Sequence, residues 1–111
     1  MAPQEQASQE KIQQLQLIEQ NMQTLLMQKQ KFQSQLLEID NASKEVEETE
    51  KEVYKIVGTI MVESEKPKLT EELKSQKEVI ELRIKNIEKQ EGLIKEKESQ
   101  LQSEIMKDIK K

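Results

Sequence analysis

The chain has no cysteine, no histidine and no tryptophan, and only one tyrosine, one phenylalanine, two glycines and two prolines. Without cysteine there is no disulfide framework, no thiolate metal site and no thiol nucleophile. Without histidine there is no imidazole for acid–base catalysis or metal ligation. Carboxylates are plentiful, but they fall on helix faces with no Gly-rich phosphate loop beside them, so an enzyme is not expected, nor a cofactor or a metal. The net charge of −4 gives no electrostatic reason to bind nucleic acid. No apolar run approaches the roughly 20 residues that span a bilayer, so no membrane contact is expected. Met1-Ala2-Pro3-Gln4-Glu5 has neither a basic region nor an apolar one, so no signal peptide is expected. With the lack of cysteine, that suits a reducing, cytoplasmic setting.

What is present is charge and a little grease. With 33% hydrophobic and 36% charged residues over 111 positions, the chain is poor material for a globular core. It suits long helices, which need only a narrow apolar seam. Disorder is the competing reading of such a composition, and the regular spacing below argues against it.

From about Ser8 to Glu52 there is neither Gly nor Pro. Leu15, Met22 and Leu36 fall in one heptad register, and Ile18, Leu25, Phe32, Ile39 and Val46 in the other, with only Lys29 and Ser43 polar among the seam positions from Leu15 to Val46. The first part of this helix is rich in Gln. Residues 38–52 then carry seven acids against two lysines, which reads as a solvated face. Ile12, Leu17, Leu26 and Met27 lie outside the seam and widen the apolar surface beyond the needs of a two-stranded coil.

From Leu69 the helical pattern returns. Leu73, Ile80, Ile87, Ile94 and Leu101 recur every seven residues, while the companion positions Lys77, Ile84, Glu91, Glu98 and Ile105 are mixed, so the seam weakens toward its distal half. Pro67 suits the first turn of this helix. Gly92 lies inside it, at a cost of about 1 kcal/mol relative to Ala.

Between the helices lie ten residues unlike any others: Val53-Tyr54-Lys55-Ile56-Val57-Gly58-Thr59-Ile60-Met61-Val62, seven of them apolar. Gly58-Thr59 interrupts two Val- and Ile-rich runs, the signature of a β-hairpin with a two-residue type II′ turn. The register sets Val57 opposite Ile60, Ile56 opposite Met61, Lys55 opposite Val62 and Tyr54 opposite Glu63. Apolar groups then lie on both faces. An isolated two-stranded hairpin is marginal in water, and its edges offer unpaired backbone groups. Each of these side chains gains about 1.5–3 kcal/mol on full burial. The rest of the chain has no spare core to cover them, so copies or homologous chains with hairpins of their own are expected to do so through Val53, Tyr54, Ile56, Val57, Gly58, Ile60, Met61 and Val62.

Two helices of nearly equal length flanking one tight hairpin must run antiparallel. Positions equidistant from the turn then pair, and Lys29 meets Glu88 or Glu91 in a register-setting ion pair worth under about 1 kcal/mol. The same arithmetic gathers Ile12, Leu15, Leu17, Ile18 and Met22 with Leu101, Ile105, Met106 and Ile109 near the chain ends. Surplus apolar surface there, including Met, suits adaptable contacts with varied partners. Ordinary coil packing with frayed ends is the other reading. The fold expected is therefore all-α with a small β element: an antiparallel two-helix coiled coil over one domain, 1–111, with helices at 8–52 and 67–110 and a hairpin at 53–63.

The order of helix, hairpin and helix, with IQQLQLIEQNMQTLLMQKQKFQSQL near the start, EVYKIVGTIMVE at the hairpin and LTEELKSQKEVIELRIKNIEKQE in the second helix, resembles the β-type subunit of prefoldin, archaeal beta or eukaryotic subunit 6. The single hairpin is similar to the β type; the α type has two. The resemblance implies a heterohexamer, two α-type and four β-type subunits in archaea or six different subunits in eukaryotes. It implies hairpins assembled into a β-barrel platform and coiled-coil tips that hold non-native client proteins. Clients would then pass to a group II chaperonin without ATP. A coiled-coil scaffold or spacer with one fixed partner is the alternative; it accounts for the heptads equally well and for the hairpin poorly.

Overall fold

The computed structural model describes residues 3–110; Met1, Ala2 and Lys111, which close the expected 1–111 domain, lie outside the described residues. The element order is α1 (Pro3–Glu48), β1 (Val53–Val57), β2 (Ile60–Ser64) and α2 (Lys66–Lys110). It is the helix–hairpin–helix order that the heptads and the Val/Ile-rich centre predict. By its internal contacts the chain divides into two compact units, a terminal unit of residues 1–29 with 85–111 and a hairpin unit of residues 30–84.

The helix limits differ from those read off the residues, for local reasons. Nothing after Pro3 breaks the pattern, and α1 begins there rather than at Ser8. It stops at Glu48 rather than Glu52. Its last turn holds no basic residue, while Glu45, Glu47 and Glu48 crowd the negative end of the helix dipole. Thr49 then turns the chain: its N–H still donates to the Glu45 carbonyl at 3.1 Å, and its Oγ1 accepts from the Lys51 N–H at 3.2 Å. The open carbonyls at this end are met from elsewhere. Lys66 Nζ, at the start of α2, donates to the Glu47 carbonyl at 3.0 Å and the Thr49 carbonyl at 2.8 Å. α2 begins at Lys66, one residue before the position read from the sequence, with Pro67 inside its first turn.

β1 and β2 pair antiparallel in the register expected from the turn: Val57 with Ile60, Ile56 with Met61, Lys55 with Val62 and Tyr54 with Glu63, plus Val53 with Ser64. Gly58 has φ +65°, and among the described residues no non-glycine residue has positive φ. Positive φ at the first turn position alone is the type II′ pattern, which fits Gly-Thr and excludes type I′.

In the hairpin unit, Val46, Ile80 and Ile84 are buried, with Phe32, Leu36, Ile39 and Leu73 half-buried beside them. Lys77, a polar seam position, lies 2.9 Å from Asp40, and the Arg83 guanidinium sits 5.6 Å from the centre of the Phe32 ring. In the terminal unit, Ile18, Ile87, Leu101 and Ile105 are buried, and Leu15, Met22, Leu25 and Ile94 half-buried. Every heptad position named from the sequence is withdrawn from water to some degree. No described side chain is fully enclosed, which is what two helices sharing one stripe produce. Lys29 Nζ and Glu91 Oε1 are 3.2 Å apart across the terminal unit's seam, so of the two acids expected for that lysine it meets Glu91.

Candidate functional site

Because side chains alternate along a strand, the hairpin has two distinct faces. Tyr54, Ile56, Met61 and Glu63 share one, and all four are exposed. Ile56 is 69% and Met61 65% exposed, more than half of two large apolar side chains left in water. Val53, Lys55, Val57, Ile60, Val62 and Ser64 share the other. This face is half-covered only at the helix end, at Val53, Lys55 and Ser64. Toward the turn, Val57, Ile60 and Val62 are as bare as the first face. Of the seven apolar residues singled out in the sequence, six are therefore exposed and contiguous, and Gly58 lies at their turn.

Two polar contacts are made by β1, of which the first ties it to a helix. Lys55 Nζ lies 2.7 Å from Glu72 Oε2 on α2, tying β1 to that helix. The hydrogen bond from Lys55, followed by its charge, holds the Glu72 carboxyl below its ordinary value. Tyr54 donates its hydroxyl to Glu52 Oε2 at 3.0 Å, and that bond raises the phenol above its ordinary value. Sequence reasoning missed the Lys55–Glu72 tie and the Lys66 cap. Both join residues distant in sequence through long flexible side chains, and no local pattern announces them. Beside the helices of the same unit, a cavity of about 510 Å³ is lined by Ile39, Val79, Ile80 and the side chains of Gln35, Gln76 and Arg83.

The terminal unit sorts its nine singled-out apolar residues into two sets. Ile18, Leu101 and Ile105 are buried in the seam, and Leu15 and Met22 are half-buried there. Ile12, Leu17, Met106 and Ile109 are exposed. Heptad spacing explains the split: the first five sit on the stripe that faces the partner helix, and the other four sit off it. Leu26, Met27 and Leu93 add exposed apolar groups in the same unit.

Among the described residues there is no cluster of acids able to hold a metal ion, and no helix long and apolar enough to cross a membrane. What this chain presents is a bare apolar ribbon and a fringe of apolar side chains on a two-helix coil. That places it in the class of helix–hairpin–helix coiled-coil assembly subunits.

Known proteins carry the same arrangement. The family described as prefoldin subunit matches residues 9–111. The prefoldin subunit beta of Thermococcus gammatolerans is 40% identical over 112 aligned residues, covering 86% of this chain and 96% of the relative. That of Thermococcus onnurineus is 39% identical over 94 residues, 83% of this chain and 81% of the relative. The crystal structure of the prefoldin beta subunit from Thermococcus strain KS-1 superposes with a TM-score of 0.86 at 36% identity, covering 96% of this chain and 92% of that one. The chain belongs to the prefoldin subunit family, as a subunit of the beta type. That family is one of chaperones whose members assemble with other prefoldin subunits.

Proposed function

We propose that this chain is a structural and client-holding subunit of an ATP-independent co-chaperone. Its hairpin builds the hub. Val57, Ile60 and Val62 on one face and Tyr54, Ile56 and Met61 on the other bury against the hairpins of α-type subunits and further β-type copies, two and four respectively in a hexamer. The single observation that carries this is the exposure of both apolar faces of a two-stranded ribbon that has no covering element of its own. A ribbon of that kind is marginal alone and stable once its edges and faces are paired.

The terminal unit holds the client. Exposed Ile12, Leu17, Met106 and Ile109 make the first contacts with apolar segments of non-native proteins, and Leu15 and Met22 border them. Each contact is weak. Several arms acting on one client combine through effective concentration, so capture needs no nucleotide. Held clients then pass to a group II chaperonin in the cytoplasm. The chain carries out no chemistry in this scheme.

The test is suppression of aggregation. The chain is assembled with an α-type partner and mixed with several unrelated denatured proteins. Delayed aggregation of all of them is the expected result. Protection of a single partner, or of none, favours the fixed coiled-coil scaffold instead.

A further inference from the structure

One charge stands in the way of covering the ribbon. On the face that carries Val57, Ile60 and Val62, Lys55 lies on β1 two residues from Val57 and directly opposite Val62. It is half-buried, at the border between the half-covered helix end of that face, at Val53 and Ser64, and the bare turn end. A partner ribbon laid over Val57, Ile60 and Val62 therefore also closes over Lys55. An ammonium taken out of water without a counter-charge is costly.

Glu72 supplies that counter-charge from α2. Its Oε2 lies 2.7 Å from Lys55 Nζ, with the two side chains 32% and 42% exposed. Among the described residues Lys55 has no other ion pair. The pair sits in a cleft of about 480 Å³ beside β1 and α2, lined also by Lys68, Glu71, Ser75 and Gln76. Two cations and two carboxylates face this cleft, so its charges balance. Glu71 is exposed and is not within ion-pair distance of Lys55. In the free chain a pair this accessible adds little to stability.

We infer that Glu72 is the built-in counter-ion of the hub: it neutralises Lys55 in advance, so that the Val57 face accepts an apolar partner ribbon that brings no acid of its own. The inference rests on the hub role proposed for the ribbon. Glu72 acts through Lys55 and needs to touch no partner. The worth of the pair then depends on assembly. In the free chain water screens it. Under a partner ribbon the water is gone and the attraction grows as the local dielectric falls. Loss of Glu72 leaves a covered cation without its counter-charge, and that penalty falls on the assembled state. Removing Lys55 as well takes away the charge that had to be neutralised, and an apolar side chain in its place suits an apolar face.

The test is a set of assembly curves. The full chain is mixed with an α-type prefoldin subunit, and the concentration at which half of it is assembled is read by sedimentation over a dilution series. Glu72→Gln is expected to raise that concentration about ten-fold or more. Adding Lys55→Met to Glu72→Gln is expected to bring it back to within about two-fold of the parent. Glu71→Gln, the same change of charge one residue away, is expected to stay within about two-fold of the parent as well. Circular dichroism checks that each variant keeps its helix content. A parental curve for Glu72→Gln overturns the inference. A double variant as weak as Glu72→Gln alone also overturns it, because the pair is then a mechanical tie and not a neutralised charge. Equal weakening by Glu71→Gln overturns it too, because net charge is then the cause. In each of these cases the parent still assembles and the hub reading stands. A parent that stays monomeric removes the hub reading and this inference with it.

Discussion

Residues 30–84 and residues 1–29 with 85–111 are built on the same heptad stripe, yet they treat their apolar side chains differently. The hairpin unit buries Val46, Ile80 and Ile84 and leaves nearly all of its ribbon bare. The terminal unit buries or half-buries every apolar residue on its stripe and leaves exposed only those that the stripe does not include, such as Leu17, Met106 and Ile109. A two-helix seam covers about one stripe per helix. Apolar residues beyond it need another chain. In the hairpin they are contiguous, β-branched and fixed in register, which suits a permanent and specific interface. In the terminal unit they are scattered, flexible and include Met, which suits weak and varied contacts.

The largest way to break this comparison is a charge on the ribbon. Val57→Asp is expected to dissociate the oligomer completely while helix content stays near that of the parent chain, read by sedimentation and circular dichroism. The complementary change, Ile12→Ser with Leu17→Ser, Met106→Ser and Ile109→Ser, is expected to remove suppression of client aggregation and leave sedimentation unchanged. If the same substitutions abolish both properties, the division of labour between the units is wrong.

Smaller changes sharpen it. Ile84→Ala empties a buried seam position in the hairpin unit and is expected to cost about 2–3 kcal/mol by thermal or denaturant melting, near the low end for a core Ile because the seam is open on its sides. Gly92→Ala in the terminal unit is expected to stabilise by about 1 kcal/mol. A Cβ placed there meets nothing within 4 Å, so the gain is not offset by a clash. The smallest effect is pH-dependent. Glu72 is held below its ordinary value of 4.5 by Lys55. A depressed carboxylate contributes stability above its unfolded value and loses it as pH falls through its folded one. Glu72→Gln is therefore expected to lower the melting temperature slightly at neutral pH, with the difference closing as the pH falls through the lowered folded value of Glu72.

Much of this was legible in the residues. The heptads located the seam positions from Leu15 to Ile105, Gly58-Thr59 gave the turn type and four of the five strand pairs, and distance from the turn placed Lys29 against Glu88 or Glu91, of which it meets Glu91. These features repeat or follow from symmetry about one point, so a single sequence suffices to read them. The end of α1 at Glu48 was not legible, because it depends on acids at the negative end of a helix and on a lysine from α2 that caps it. The division of the apolar residues near the chain ends was legible in part. Their heptad positions already separated Ile18, Leu101 and Ile105 from Ile12, Leu17, Met106 and Ile109, but that sorting followed only once the seam was seen closed. The Lys11–Asp108 and Lys11–Glu104 pairs were not legible, since their residues look like any other charges on a solvated helix.

The claim on which the rest depends is that the ribbon is covered by ribbons of other subunits. Native mass spectrometry of the chain, alone and mixed with an α-type prefoldin subunit, tests it most directly. The expected result is a discrete complex of several subunits containing both chains, lost when Val57→Asp replaces the parent. A mixture that stays monomeric at every ratio contradicts it.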